Sequence, residues 1–120
     1  MQRLHFVSAM VIGVLAFAPL VQAKDHIVQM GSTNGRLIYE PKTVTVAKGD
    51  TVTWTMGKAG PHNVVFSKAP AGVDVTTISH KKLVNKTDPT FKTTFAEAGD
   101  YSYFCTPHKG AGMVGKITVK

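Results

Sequence analysis

The chain has 120 residues, 43% of them hydrophobic and 18% charged, which excludes a disordered or fibrous protein. Fourteen Lys and Arg against 7 Asp and Glu give a formal charge of +7. Cys105 is the one cysteine, so no internal disulfide and no multi-thiolate zinc finger can form, and a core, or a core plus a metal, must hold the fold.

In chain order, the first element is a segment to be removed. Arg3 precedes an apolar run at 6–18, Pro19 breaks it, and Val21-Gln22-Ala23 offers small residues where a signal peptidase reads. The run falls well short of the roughly 20 apolar residues that span a bilayer, so a cleaved signal at 1–23 is expected rather than an anchor. A single domain at 24–120 follows. Its lysines, among them Lys42, Lys48, Lys58, Lys68, Lys86, Lys92 and Lys116, are scattered rather than clustered with aromatics. Behind an export signal, that argues against nucleic acid and fits solubility, an acidic protein partner or an anionic membrane surface.

The domain reads as strands of period two. They fall at His26–Met30, at Thr43–Val46, at Thr51–Met56 with Val52 and Trp54 on the buried face and threonines opposite, and at His62–Phe66. Ile78–Asn85 hints at a turn or two of helix. Strands resume at Phe91–Phe95, Tyr101–Cys105 and Lys116–Val119, and turn signals separate them at Asn34-Gly35, Lys48-Gly49-Asp50, Ala69-Pro70-Ala71-Gly72, Asp88-Pro89 and Gly99-Asp100. The expected fold is an all-β, antiparallel Greek-key β-sandwich of seven or eight strands.

The chemistry is concentrated where the Tyr101–Cys105 strand ends. Cys105, His108 and Met113 put a thiolate, an imidazole and a thioether at spacing Cys-x2-His-x4-Met, with Pro107, Gly110 and Gly112 allowing tight turns between them. His62, behind a Gly-Pro turn, offers a second imidazole. Two histidines, a cysteine and a weak axial methionine are the trigonal ligand set of blue-copper electron-transfer sites. Four protein ligands leave no open position for substrate, which points away from an enzyme. His26 and His80 have no partner at ligand spacing and read as surface residues.

From about Ile27 onward the chain resembles the photosynthetic members of the cupredoxin family, the type 1 blue copper proteins. The resemblance lies in Tyr39-Glu40-Pro41, Gly60-Pro61-His62-Asn63-Val64-Val65-Phe66, Pro70-Ala71-Gly72-Val73 and the stretch 101–119. Cys-x-Pro-His-x-Gly-Ala-Gly-Met-Val-Gly, at 105–115, separates these members from relatives with longer ligand loops. The resemblance implies an eight-stranded sandwich with one copper ion, Cu(I)/Cu(II), at one end, held by His62, Cys105, His108 and Met113. Asn63 would tie the two ligand segments together. It further implies a soluble, monomeric one-electron carrier in the thylakoid lumen, or in a periplasm. Such a carrier docks transiently on cytochrome f as donor and photosystem I as acceptor, with a respiratory oxidase as a further acceptor in bacterial relatives. The docking face would be the His108 edge within a patch of Gly35, Leu37, Pro61, Pro107, Ala111 and Gly112, with Lys109 steering an acidic partner.

Two departures stand out. Ser67-Lys68-Ala69 and His80-Lys81-Lys82 occupy the stretches where plant members carry acidic clusters, which favours a bacterial-type partner surface. Phe104 replaces the usual tyrosine before the cysteine, keeping a ring for contact and losing its hydroxyl. Two other functions fit the same residues less well. A copper chaperone or buffer generally uses several exposed methionines and histidines, and only Met113 lies in the loop. A Cys-His hydrolase needs an exposed thiolate, often at a helix N-terminus, whereas Cys105 ends a strand.

Overall fold

The computed structural model describes Gly13, residues 22–85 and residues 90–120. The expected signal segment and the Asp88-Pro89 turn therefore lie almost entirely outside the described residues. Among these residues, nine strand segments form two sheets: β1 Asp25–Met30, β2 Tyr39–Glu40, β3 Thr43–Val46, β4 Thr51–Met56, β5 His62–Lys68, β6 His80–Val84, β7 Phe91–Thr94, β8 Gly99–Phe104 and β9 Val114–Val119. One sheet runs β2-β1-β4-β7 and the other β3-β9-β8-β5-β6.

β2 and β3 are two halves of one extended run, parted at Pro41-Lys42 where the chain leaves the first sheet for the second. Proline has no N–H to give to a ladder, so a break falls there naturally. Counted this way the sandwich has eight strands, one of them split. It is not uniformly antiparallel: β1 pairs parallel with β4, from Asp25↔Thr51 to Met30↔Met56, and β3 pairs parallel with β9. Period-two alternation reports which face is buried and carries no information on strand direction.

The helical hint is displaced. A single turn, α1, spans Val75–Ile78, capped by Asp74, whose carboxylate accepts from Thr76 N at 2.9 Å. Residues 80–84 instead pair with β5 as an edge strand. The Ser79 hydroxyl fixes the switch by accepting from Phe66 N at 2.9 Å and donating to Val75 O at 2.6 Å. A long-range partner has overridden a weak local preference.

Between the sheets, Trp54 is fully buried, stacked on Phe91 at 5.3 Å and edge-on to Tyr103 at 5.4 Å. Phe66, Phe95 and Tyr101 continue this aromatic core with edge contacts of 4.9–6.2 Å. Thr53, expected on the exposed face of β4, is buried, and its hydroxyl donates to Asp25 at 2.8 Å. The sandwich brings the start of β5 and the end of β8 to one end of the molecule, where the candidate ligands meet.

Candidate metal centre

The β8–β9 connection is a closed loop built by its own backbone. Cys105 follows β8 in extended conformation, and a 3-10 segment, Thr106–Ala111, carries Pro107 at its second position. His108 N donates to Cys105 O at 3.2 Å, Cys105 N to Met113 O at 3.1 Å, and Met113 N to His108 O at 3.2 Å. Gly112 turns the chain back at φ +84, a left-handed conformation that costs a glycine little. Those three reciprocal bonds fix Cys105, His108 and Met113 relative to one another. Cys105 thus sits just past the end of β8 and just before a short helical segment, but it is fully buried, unlike an attacking thiolate.

His62 arrives from the other side at the first position of β5, and it is also fully buried. Its Nε2 lies 2.9 Å from the carbonyl of Lys58, which can only accept, so Nε2 carries the proton and Nδ1 presents a lone pair. That lone pair faces Cys105 Sγ at 3.7 Å, and His108 Nδ1 faces the same sulfur at 3.4 Å. The three ligand atoms lie within 4.8 Å of one another.

Such spacing fits a shared ion. Bonds of about 2.0–2.1 Å to nitrogen and about 2.3 Å to sulfur, as at zinc, opened to about 110–120°, set the two atoms about 3.5–3.8 Å apart. Met113, fully buried and bonded through its backbone to both loop ligands, brings a thioether to the same loop. The electrostatics agree. Burial pushes the Cys105 thiol up, against the backbone N–H groups of Asn63 and His108, and burial pushes the His62 imidazole below its ordinary value. On their own these groups settle as a neutral thiol and a neutral imidazole. A bound cation reverses that preference for the sulfur and makes it a thiolate. Two imidazoles with one soft sulfur and a thioether are a donor set suited to copper.

Asn63 joins the two halves. Its Oδ1 accepts from Thr106 N at 2.8 Å, and its Nδ2 donates to Thr106 Oγ1 at 2.9 Å and to Lys81 O at 3.0 Å. Tyr39, from the opposite sheet, donates its buried hydroxyl to Asn63 O at 2.5 Å.

The remaining candidates lie nearer the surface. His108 is half-buried, as are Leu37 and Pro61, while Gly35, Pro107, Ala111 and Gly112 are exposed. Lys109 does not simply project from this patch: its Nζ sits 4.3 Å over the Phe104 ring. With Lys42 and Lys116 it borders a groove of about 260 Å³ that Tyr103, Phe104, Val114 and Gly115 line. His26 and His80, read from the sequence as surface residues, are both half-buried; His26 pairs with Asp50 at 3.0 Å and His80 packs on Phe91 at 4.9 Å.

Sequence reasoning missed Gly31 and Lys58. Gly31 has φ +79, and a Cβ there would collide with the Lys58 carbonyl and come within 2.7 Å of His62 Nε2. The glycine therefore makes room for the hydrogen bond that orients His62. A Gly-x-x-Asn-Gly run in a turn is an ordinary signal, and nothing local marks its first glycine as a neighbour of His62.

Known proteins resemble this chain over most of its length. The copper binding proteins of the plastocyanin/azurin family match over residues 26–120. A plastocyanin of Synechococcus sp. (strain JA-2-3B'a(2-13)) is 44% identical, across 92% of this chain and 87% of that protein. The chloroplastic plastocyanin of Tetradesmus obliquus is 42% identical, across 91% of this chain and 77% of that one. Among solved structures, the oxidized form of plastocyanin from Dryopteris crassirhizoma superposes with a TM-score of 0.69 at 33% identity, across 78% of this chain and 99% of that chain. With the family match running over residues 26–120, the chain belongs to the plastocyanin/azurin family of copper-binding proteins.

Proposed function

We propose that the chain is a blue-copper electron carrier of photosynthetic electron transport, with one copper ion held by His62, Cys105, His108 and Met113. The observation that carries this reading is the convergence of Cys105 Sγ and two histidine Nδ1 atoms within 4.8 Å, drawn from two separately fixed segments. Copper supplies the one-electron couple, and the chain's residues do the rest. Lys58 O keeps the His62 proton on Nε2, away from the sulfur. The three backbone bonds of the 105–113 loop resist rearrangement when the charge at the site changes, which keeps the reorganisation cost of transfer low. His108, half-buried where the other ligands are sealed, is the outlet for the electron.

The surrounding patch of Gly35, Leu37, Pro61, Pro107, Ala111 and Gly112 suits brief docking, since small and apolar groups desolvate a contact without a large, slow-releasing interface. The lysines bordering the Phe104 groove favour an acidic partner and a faster encounter at low salt. Likeness to the plastocyanins supports cytochrome f as donor and photosystem I as acceptor, in a thylakoid lumen or periplasm reached through a signal at 1–23. Among the described residues, no helix is long and apolar enough to cross a membrane.

Visible absorption with redox titration tests the reading. The copper-loaded protein is expected to be intensely blue, to bleach with one equivalent of a mild reductant, and to lose its colour in Cys105→Ser. A colourless, redox-silent copper complex, or a blue Cys105→Ser protein, overturns it. Rapid release of copper to a chelator together with slow electron exchange would instead favour a copper buffer.

A further inference from the structure

At the end of the sheet opposite the metal centre, Asp50 is a carboxylate only 5% exposed and surrounded by donors. Its Oδ2 accepts from Ala47 N and from His26 Nε2, each at 3.0 Å, and its Oδ1 accepts from the backbone nitrogen of Lys24 at 3.0 Å. Those bonds, the Lys24 one foremost, hold the Asp50 carboxyl down at about 2, so it is charged at any ordinary pH. Thr51 N returns a bond to Lys24 O at 2.9 Å, so Lys24 is stitched to β4 on both sides of its own Cα. Among the described residues, the titratable groups beside the carboxylate are Lys24, just before β1, and His26 in β1; Thr45, Val46 and Ala47, from the other sheet's side, bring none.

Lys24 is also the residue that the sequence places just after the processing site. While the Ala23–Lys24 bond is intact, the nitrogen facing Asp50 is a neutral amide. Hydrolysis of that bond by a peptidase adds one water across it, leaving a carboxylate on Ala23 and, after protonation, an α-ammonium on Lys24. We propose that Asp50 is a built acceptor for this new terminus: processing converts an amide hydrogen bond into an ion pair between the Lys24 α-ammonium and the buried Asp50 carboxylate, latching β1 onto β4. The inference rests on cleavage after Ala23 and is independent of the electron-carrier reading.

Two consequences are measurable on the exported, copper-loaded protein. Its mass reports the N-terminal residue directly, and a protein beginning anywhere but Lys24 overturns the proposal. Next, the form beginning at Lys24 is compared with one that retains Ala23, in which the same nitrogen is again an amide. The Lys24 form is expected to unfold about 4 °C or more higher, and the difference to vanish when both carry Asp50→Asn. Equal midpoints, or a difference that survives Asp50→Asn, overturn the proposal. Should Asp50→Asn fail to fold, labelling of the unaltered protein decides. The Lys24 α-amine is expected to react with acetic anhydride at pH 7 about tenfold more slowly in the native than in the urea-unfolded chain, because ion pairing keeps it protonated. Equal rates overturn the proposal. None of these three measurements depends on colour or electron transfer, so failure here and failure of the copper reading are separable.

Discussion

The two halves of the candidate metal centre are built on different principles. Cys105, His108 and Met113 are positioned by a loop whose hydrogen bonds close on themselves within nine consecutive residues of sequence. His62 is positioned from a distance: by the carbonyl of Lys58 before it, by the room left at Gly31 on another strand's end, and by the tyrosine of a third strand acting through Asn63. The local half leaves its histidine partly open, and the non-local half seals its histidine completely. An electron carrier needs both: one ligand fixed so firmly that the ion cannot relax around it, and one whose edge a partner can reach.

The largest expected effect comes from breaking the distant half without touching a ligand. Gly31→Ala imposes a left-handed backbone on a residue with a Cβ, at a cost of about 1–2 kcal/mol. It also drives that Cβ into the Lys58 carbonyl, the acceptor that orients His62. Copper affinity is expected to fall about 10–100-fold, as it does when a ligand histidine loses its outer hydrogen bond, with the ligand loop itself unaltered. Competition with a chelator of known affinity measures this, and a variant with unchanged affinity would mean that His62 needs no such support.

Smaller, and directed at the link between the halves, is Asn63→Ala. It removes three hydrogen bonds, two to Thr106 and one to Lys81 O, at an expected cost of about 1–3 kcal/mol. The ligands remain, so the colour is expected to persist while copper leaves faster. Stopped-flow transfer to a chelator reads the rate, and a release rate equal to that of the unaltered protein would show the halves to be independent.

How much of this could be read in the sequence follows the same division. The Cys-x2-His-x4-Met loop is local, so its spacing and its Pro and Gly residues announce it. His62 is legible because a Gly-Pro turn precedes an apolar strand. Gly31 and Lys58 are not legible, since one contributes an absent side chain and the other a backbone carbonyl, and neither leaves a residue-type signal. The same reason accounts for residues 80–84. His80-Lys81-Lys82-Leu83 has little alternation because it is an edge strand open to solvent, and only its pairing with β5 makes it a strand. The split of the second strand at Pro41 and the parallel pairs of β1 and β3 likewise depend on which sheet the chain joins, a choice made by the core as a whole.

The smallest expected effect sharpens the comparison most, because it sets two buried tyrosines side by side. Tyr39 and Tyr103 pack edge-to-face at 4.6 Å, and burial raises the phenol pKa of both well above its ordinary value. Tyr39 gives its hydroxyl to Asn63 O, on the His62 side. Among the described residues the Tyr103 hydroxyl, on the strand that leads to Cys105, makes no full hydrogen bond; its one polar side-chain neighbour is the Trp54 indole, and it lies over Gly115, where any Cβ would meet the ring. Tyr39→Phe removes a buried hydrogen bond and is expected to cost about 1–2 kcal/mol. Tyr103→Phe removes a hydroxyl whose one polar side-chain neighbour is the Trp54 indole, and it is expected to change stability by no more than about 0.5 kcal/mol. Denaturant midpoints of the two variants under one set of conditions decide it. If Tyr103→Phe proved the more damaging, the strand to Cys105 would depend on a distant polar contact just as His62 does, and the division between a self-closing half and a braced half would fail at its own boundary.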